Sequence, residues 1–316
     1  MSLRESGKNL SMRKNKNKNS LSLRHRIYMA RHNYVLMAPF LLMFTVFTLL
    51  PVLAAIVLSF TYYNCLNAPR FVGWENYLRL FLDDSVFITC FKNTMIFALV
   101  TGPISYVFCF LFAWLINDLG RRARSVVTAV FYAPVLSGQT YAIWTFFFSA
   151  DSYGIINGTL MRFGFIDEPI GWLTDPEKIL GVVIVVQLWM SLGTGFLSFI
   201  AGLQGVDRSL YEAGVMDGVH NRLQEVWYIT LPSMKSQLLF GAVMQIVSSF
   251  SAADVTTALA GNPSPQYAAD TIVMHITDVG NTRFEMGYAC SIATVLFLLM
   301  AIANFLVKRL LSRVGS

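Results

Sequence analysis

The amino-acid sequence predicts an all-α polytopic membrane protein with six transmembrane helices. Of its 316 residues, 55% are apolar and only 13% are charged, which is more apolar material than a soluble core of this length needs. The apolar residues are concentrated in long uncharged runs, and a helix needs about 20 such residues to cross about 30 Å of hydrocarbon. The predicted spans are residues 34–60, 93–117, 125–150, 179–206, 236–260 and 286–307. The fifth run is the shortest, and we expect it to continue as one helix through Asp254 to residue 260.

The distribution of positive charge predicts the orientation. Residues 1–33, 118–124, 207–235 and 308–316 hold 18 of the 24 Lys and Arg residues. Cationic loops are retained in the cytoplasm, so these four segments are expected inside and both termini are expected to be cytoplasmic. The remaining loops carry 11 acidic residues, which agrees with the outer face.

The amino-terminal segment, residues 1–33, is a basic tail ahead of a transmembrane domain that we place at residues 34–312. Clustered cations beside a span are attracted to anionic lipid, so we expect the tail to lie on the membrane surface. Membrane lipid is therefore its predicted partner, and nucleic acid is not.

Between the first two spans, residues 71–81 place aromatic and aliphatic side chains at helical spacing. Such a segment is typical of a short amphipathic helix at headgroup depth. The longest outer loop, residues 151–178, is too short for a domain but long enough to cap a pathway or to contact a partner. Cys65 and Cys90 both fall near the outer face; a bridge between them is open, and free thiols are the favoured interpretation.

A polar loop, residues 207–235, separates the fourth and fifth spans and contains the run Tyr211-Glu212-Ala213-Gly214-Val215-Met216-Asp217-Gly218. The spacing of Ser209 and Glu212 predicts a capping box, and Gly218 is suited to end the helix with a positive φ. A second amphipathic stretch follows at residues 222–228. Two short helices meeting at a turn would form a rigid projection that a soluble partner could push or pull.

In residue order and spacing this loop resembles the Glu-Ala-Ala loop of ABC importer permeases, whose short helix docks in a cleft of an ATPase subunit. Residues 72–77, Val-Gly-Trp-Glu-Asn-Tyr, followed by Asn93-Thr94, resemble the opening of carbohydrate-importer permeases of the maltose and glycerol-phosphate type. The matches are scattered over residues 71–300. The chain departs from the family at Gly214, where a second Ala is usual, and at residues 250–254, where Phe and Asp are not adjacent.

The resemblance implies a type I ABC importer permease fold in the bacterial cytoplasmic membrane. It implies a second homologous permease subunit, two ATPase subunits that bind ATP and Mg, and an extracytoplasmic solute-binding protein. This chain itself is expected to hold no cofactor and no metal. The residues that the resemblance assigns to ATPase coupling are Tyr211, Glu212, Ala213, Val215, Asp217, Gly218 and Arg222.

Polar residues inside the predicted spans are the candidates for a substrate pathway, because intramembrane amides and hydroxyls are costly unless they face a bundle interior or a wet cavity. Amides, hydroxyls and an aromatic plate together suit a sugar. Hydrogen bonding between helices is the alternative for each residue. For Asp254, the one acid in a predicted span, the alternatives are a substrate or gate contact and a solvated helix-end carboxylate. The candidates are Gln139, Tyr141, Gln187, Trp189, Ser191, Gln245, Ser248, Ser249 and Asp254.

The sequence contains no phosphate-binding Gly-rich motif, no metal-binding His-Glu-x-x-His pattern and no nucleophile elbow, so we predict a non-catalytic transport subunit. The predicted function is ATP-driven import of a sugar or oligosaccharide by alternating access. Import of a peptide or a phosphate ester is an alternative. An ion-coupled secondary carrier is a weaker one, because it would need paired buried titrating groups, and His220 and His275 fall in predicted loops.

Overall fold

A computed structural model describes residues 31–137 and 140–312. The candidate pathway residue Gln139 and most of the predicted basic tail lie outside the described residues. The chain divides into two compact units, Met1–Ala55 and Ile56–Ser316, and each is described by itself.

In the first unit, α1 (Arg31–Phe44) continues through a π-helical turn at Thr45–Leu49 into α2 (Leu50–Leu58). Pro51 explains the wider turn, since proline has no amide to donate to the carbonyl four residues before it.

The second unit is mostly helical from residue 72 onwards. Its elements are β1 (Thr61–Tyr62), β2 (Arg70–Phe71), α3 (Glu75–Leu82), α4 (Ser85–Asn117), α5 (Arg121–Leu136), α6 (Thr140–Phe147), α7 (Ile155–Arg162), α8 (Ile179–Met190), α9 (Thr194–Gln204), α10 (Arg208–Met216), α11 (Arg222–Glu225), a π turn (Val226–Thr230), α12 (Leu231–Ser233), α13 (Lys235–Phe250), α14 (Asp254–Ala260), a short 3₁₀ turn (Pro265–Tyr267), α15 (Ile272–Thr277), a π turn (Asp278–Thr282) and α16 (Met286–Ser312).

Within the described residues, five helical segments are long and apolar enough to cross a membrane, and a sixth is obtained if the bent pair α5 and α6 counts as one span. This confirms the prediction of a mostly helical protein, and the number of membrane helices equals the predicted six when the bent pair is one span. The five are Asn33–Leu58, Ser85–Asn117, Ile179–Gln204, Lys235–Ala260 and Met286–Leu311.

Besides the bent pair α5 and α6 in the third predicted span, two other predicted spans are interrupted. Non-helical residues at 191–193 separate α8 from α9, and residues 251–253 separate α13 from α14. The prediction of one continuous fifth helix running through Asp254 is therefore wrong. Asp254 instead lies in the first turn of α14, where an acidic side chain is favoured by the unsatisfied amides of a helix start.

The long helix α4 is the centre of the second unit and packs against α9 and α13. Helices α9 and α13 also pack against each other, and glycines permit their close approach: a Cβ on Gly241 would lie 2.5 Å from the Phe199 ring, and one on Gly202 would lie 2.9 Å from the Gln237 side chain. Small residues at helix contacts are typical of membrane bundles, where tight packing replaces the hydrophobic effect as the driving force.

At the start of α4, Asp84 joins three elements. Its carboxylate caps α4 by accepting from the Phe87 amide at 2.8 Å. It also lies 2.9 Å from His275 Nε2 on α15 and accepts from the Tyr288 hydroxyl of α16 at 2.6 Å. His275 was predicted to fall in a loop, and that prediction is wrong: it lies on a helix with only 3% of its surface exposed.

A second charged pair lies beside this cluster. Arg79 of α3 donates to Glu285 at 2.6 Å, and its guanidinium stacks over the Tyr288 ring at 4.2 Å. Burial lowers the pKa of Arg79, but the hydrogen bond and charge of Glu285 outweigh it, so the pKa is raised. Together the two groups fix α3, α15 and the start of α16 to one end of α4.

The loop of residues 151–178 is organised around Asn157, which is fully buried. Its amide donates to the carbonyl oxygens of Ser149 and Ile170 at 3.1 and 2.9 Å, and its carbonyl oxygen accepts from Trp172 Nε1 at 2.8 Å. One side chain therefore holds both ends of the loop, which explains how a segment with a single short helix keeps a defined form.

The thiols of Cys65 and Cys90 are both free, with Cys65 exposed and Cys90 buried in the packing around α4.

Candidate functional site

Helix α10, at the centre of the Glu-Ala-Ala-like loop, begins differently from the prediction. Its N-cap is Asp207, whose carboxylate accepts from the Ser209 amide at 3.0 Å. Ser209 therefore lies inside the first turn, and the predicted capping box of Ser209 and Glu212 is wrong. Because Asp207 already supplies the cap and the negative charge that a helix start favours, Glu212 is released from any capping role.

The end of α10 is a Schellman motif. The Val219 amide donates to the Gly214 carbonyl at 2.9 Å, and the Gly218 amide donates to the Val215 carbonyl at 3.2 Å. Gly218 has φ +90°, a left-handed conformation that favours glycine, as predicted. Asp217 is the last residue before it and is exposed.

The second helix, α11, begins with a capping box that sequence reasoning missed. Asn221 accepts from the Leu223 amide at 3.2 Å, and Gln224 accepts from the Asn221 amide at 3.3 Å. The signal was present in the sequence, since Asn followed three residues later by Gln is a capping pattern.

A hydrogen bond joins α10 to the following π turn. The Tyr211 hydroxyl lies 2.9 Å from Thr230 Oγ1, and the Thr230 hydroxyl donates to the Glu225 carbonyl at 3.2 Å. Thr230 is buried. This bond ties α10 to the chain that leads into α13.

Arg222, predicted to contact the ATPase, forms an ion pair with Asp118 in the loop between α4 and α5. Both side chains are more than half exposed, so the pair contributes little to stability. The ion pair nevertheless links α11 to the loop between α4 and α5.

Every residue of α10 except Tyr211 and Gly214 is exposed, and the exposed residues towards its carboxyl end are Glu212, Ala213, Val215 and Met216. Met216 is 87% exposed, and sequence reasoning omitted it although an apolar residue in a polar loop was a usable signal. A flexible thioether beside a carboxylate gives this face both an adaptable apolar contact and a charge. Within the described residues, Glu212 has no hydrogen bond or ion pair, so its carboxylate is available to a partner.

Gly214 lies against Ile229, because a Cβ at Gly214 would be 2.5 Å from Ile229 Cδ1. The isoleucine therefore occupies the space that the methyl group of the family's usual Ala would fill. Gly214→Ala alone should change the free energy of unfolding by less than about 1 kcal/mol, because a gain in helix propensity of about that size is offset by rotation of Ile229.

Combining Gly214→Ala with Ile229→Val, which removes Cδ1, should stabilise the protein by about 1 kcal/mol more than the sum of the two single changes. Thermal unfolding of the four proteins in detergent measures this coupling. Strict additivity would show that the two side chains do not compete for the same space.

Three of the candidate pathway residues are buried in helix packing. Gln245 of α13 donates through Nε2 to Cys109 Sγ at 3.0 Å and to the Ser191 carbonyl at 3.3 Å. The Ser191 carbonyl also accepts from the Gly193 amide at 2.8 Å, so Gln245 adds a second bond to the break between α8 and α9. Ser249 is also buried, and its hydroxyl would lie 3.5 Å from a Cβ at Gly102.

Other candidates have accessible surface. Ser248 and Asp254 are exposed, and Gln187 and Tyr141 are half-buried. Tyr141 lies within electrostatic range of Asp254, and their helices α6 and α14 are in contact. The structure thus brings a phenol and a carboxylate together from two different spans.

An aromatic pair adjoins them. Trp189 of α8 packs edge-on against Trp144 of α6, with ring centroids 5.2 Å apart. Trp144 is a residue that sequence reasoning missed, and its buried Nε1 has no hydrogen-bond partner within the described residues. The half-exposed ring of Trp189 is a surface on which a sugar ring can stack, and Trp144 Nε1 can only donate a hydrogen bond, to a sugar oxygen that reaches it.

Comparison with known proteins supports the resemblance. The chain is 31% identical over 284 residues to the lactose transport system permease protein LacF of Rhizobium radiobacter, which covers 87% of this chain and 92% of that protein. It is 29% identical over 277 residues to the probable ABC transporter permease protein YesP of Bacillus subtilis, covering 86% and 88%. It is 28% identical over 280 residues to the arabinooligosaccharides transport system permease protein AraP of Bacillus subtilis, covering 88% and 87%. No protein-family model matches the chain.

Among solved structures, the chain resembles a subunit of a bacterial ABC transporter involved in the import of the acidic polysaccharide alginate, with a TM-score of 0.70 and 23% identity over 92% of this chain and 99% of that one. A second structure, of the alginate transporter in complex with an alginate pentasaccharide-bound periplasmic protein, gives a TM-score of 0.71, 22% identity and coverages of 94% and 100%. These likenesses concern the fold. Taken with the sequence relatives, they confirm the predicted resemblance, and the chain belongs to the carbohydrate-uptake family of ABC transporter permease subunits.

Proposed function

We propose that the chain imports a sugar or an oligosaccharide across the bacterial cytoplasmic membrane, as one permease subunit of a binding-protein-dependent, ATP-driven transporter. The observation that carries the proposal is the similarity over 87% of the chain to a lactose permease and over 88% to an arabinooligosaccharide permease. The adjacent indoles of Trp144 and Trp189 agree with it, because aromatic rings pack against the C–H faces of sugars.

The proposed topology places both termini in the cytoplasm, with residues 1–33 as a basic tail and residues 34–312 as the transmembrane domain. The charge distribution supports it. Three of the four basic segments, residues 118–124, 207–235 and 308–316, follow the second, fourth and sixth predicted spans, so they lie on the same side of the membrane. Basic loops are retained in the cytoplasm. The loop of residues 207–235 then faces the cytoplasm.

Two ATPase subunits that bind ATP and Mg, a second homologous permease and an extracytoplasmic solute-binding protein complete the proposed assembly. Helix α10 suits the ATPase contact because it is fixed at both ends and presents Glu212 and Met216 to solvent. Closure of the ATPases would move α10, and the bond between Tyr211 and Thr230 would carry that movement to α13. The bundle then alternates between outward-open and inward-open states by rigid-body motion of packed helices.

For the substrate pathway we propose the accessible candidates: Tyr141, Gln187, Trp189, Ser248 and Asp254. The buried candidates Ser191, Gln245 and Ser249 are better suited to holding α4, α8 and α13 together.

The alternatives are less well supported. A peptide or phosphate-ester importer would have to differ in substrate class from the lactose and arabinooligosaccharide permeases among its relatives. A secondary carrier would need buried titrating groups along the pathway. His275 is buried beside the partly buried Asp84, but Asp84 caps α4 and accepts from three donors, so it is fixed in a structural role at a helix end.

The test is uptake by the whole complex, purified with its ATPases and second permease and reconstituted into proteoliposomes with its binding protein. Radiolabelled lactose and arabinotriose are compared with glycylglycine and glycerol 3-phosphate. Accumulation of a saccharide that requires ATP is expected. Accumulation driven by a proton or sodium gradient without ATP, or accumulation of the dipeptide or phosphate ester alone, would contradict the proposal.

A further inference from the structure

The loop between α14 and α15, residues 261–271, contains two residues in a disfavoured backbone conformation. Gln266 and Tyr267 are successive non-glycine residues with φ of +53° and +59°. This left-handed region is disfavoured for L-residues because Cβ approaches the carbonyl oxygen, and it persists where surrounding contacts impose it.

Those contacts come from α4. Asn93 Nδ2 donates to the carbonyl oxygens of Tyr267 and Asp270 at 3.0 and 3.1 Å. The next residue, Thr94, accepts from the Ile272 amide through Oγ1 at 2.9 Å. Asn93 and Thr94 are both buried, so no water competes for these three bonds.

The loop is also closed on itself. Asp270 accepts from the Ser264 amide at 2.8 Å, and the Ser264 hydroxyl accepts from the Ala269 amide at 3.1 Å. Ser264 and Asp270 are buried. These two bonds tie residues 264 and 269–270 of the loop together, and Asn93 and Thr94 fix that part of the loop to α4.

The loop lies next to the candidate substrate pathway. Ala268 and Ala269 pack in the same apolar cluster as Tyr141 and Trp144. The loop directly follows α14, whose first turn carries Asp254. On its other side, the Gln266 side chain is exposed.

We propose that Asn93 and Thr94 are positioning residues for transport: they fix loop 261–271 as a wall of the sugar pathway beside Tyr141, Trp144 and Asp254. This role rests on the proposed function. Release of the wall leaves the helices inserted but lets the pathway deform during each ATPase cycle, so fewer sugar molecules are moved for each ATP hydrolysed.

The first test measures the position of the loop without any substrate. Ala269 is fully buried, so Ala269→Cys in a Cys65→Ser, Cys290→Ser background should react slowly with a water-soluble maleimide in the nanodisc-embedded complex. Adding Thr94→Val, which removes the acceptor but keeps the shape, should raise the labelling rate at least tenfold. Thr94→Ser, which keeps the hydroxyl, should leave the rate unchanged.

Cys90 and Cys109 on α4 are buried and serve as internal reporters of general unfolding. They should stay unlabelled while residue 269 becomes reactive. Asn93→Ala removes the two bonds to the Tyr267 and Asp270 carbonyls and should also raise the labelling rate at residue 269. It therefore provides the test even if the Thr94→Val protein cannot be produced. Unchanged labelling of Ala269→Cys in both variants would overturn the positioning role, and simultaneous labelling of Cys90 and Cys109 would reduce it to general stability.

The second test measures the ratio of arabinotriose or lactose accumulated to ATP hydrolysed in proteoliposomes, using whichever sugar the parent complex accumulates. Thr94→Val should lower the ratio at least threefold while ATP hydrolysis continues, and Thr94→Ser should restore it. If the loop is released but the ratio of sugar accumulated to ATP hydrolysed is unchanged, loop 261–271 is not a wall of the pathway, although Asn93 and Thr94 still hold it in place. Absence of ATP-dependent uptake of any saccharide by the parent would overturn the proposed function on which that role depends.

Discussion

Glu212→Lys is expected to reduce ATP-dependent uptake at least tenfold while the protein remains inserted at a normal level. Glu212 is exposed on α10 and makes no hydrogen bond or ion pair within the described residues, so its replacement removes no internal contact. Reversing a charge within a contact that excludes water costs about 2–5 kcal/mol, and each 1.4 kcal/mol is about a tenfold change in an equilibrium constant.

Co-purification of the ATPase subunits with the permease measures the docking step directly. Glu212→Lys should lose most of the bound ATPase, whereas Glu212→Gln, which keeps the shape and a hydrogen-bonding oxygen, should lose less. Glu168→Lys makes the same charge reversal at an exposed residue of the loop 151–178 and should retain ATPase binding. Full ATPase binding by Glu212→Lys would show that α10 docks through another face or does not dock.

Asp84→Ala is expected to lower the free energy of unfolding by about 3 kcal/mol, because it leaves the buried His275 and Tyr288 groups without their common acceptor and removes the cap of α4. Thermal unfolding in detergent measures the change. Asp83→Ala is the matched control: Asp83 is the preceding residue, is exposed, and ends α3 through a backbone hydrogen bond that alanine preserves.

The same carboxylate should make stability depend on pH. Burial by itself would raise the pKa of Asp84, but the hydrogen bonds from His275, Tyr288 and the Phe87 amide outweigh it and hold the pKa well below its ordinary value. Since the unfolded carboxyl titrates near about pH 4, the stabilising contribution is fully present above that pH and is lost as the pH falls towards the lower pKa of the folded state.

Asp84→Asn keeps the size and a cap oxygen but cannot ionise, so its unfolding midpoint should fall less than that of the parent between pH 5 and pH 3. Parallel acid profiles for the parent and Asp84→Asn would show that Asp84 does not carry this dependence.

The membrane spans were predictable because the signal is local and large. Runs such as residues 93–117 and 286–307 contain almost no group that hydrocarbon would reject, and no distant contact is needed to identify them. The end of α10 at Gly218 was predictable for a similar reason: few residues other than glycine adopt φ near +90°. The start of α10 was not, because Asp207 and Ser209 are both capping residues two positions apart, and packing chose between them.

The interruptions at residues 191–193 and 251–253 were missed because their side chains remain compatible with a continuous helix. At the first, the Ser191 carbonyl accepts from the Gly193 amide within the break and from Gln245 on another span. Trp144 was also missed, because its importance arises from Trp189, which lies 45 positions along the chain.

By itself the sequence determined that this chain is a helical membrane protein with a polar, Glu-Ala-Ala-like loop, because hydropathy and turn preferences act between neighbouring residues. Tertiary structure alone decided which polar side chains face one another. Asp84 meets His275 and Tyr288 across 191 and 204 positions, and Asn93 reaches the carbonyl of Tyr267 across 174. Such pairs form because a buried donor or acceptor must find a partner, and which partner lies within 3 Å depends on how the helices pack rather than on the local sequence.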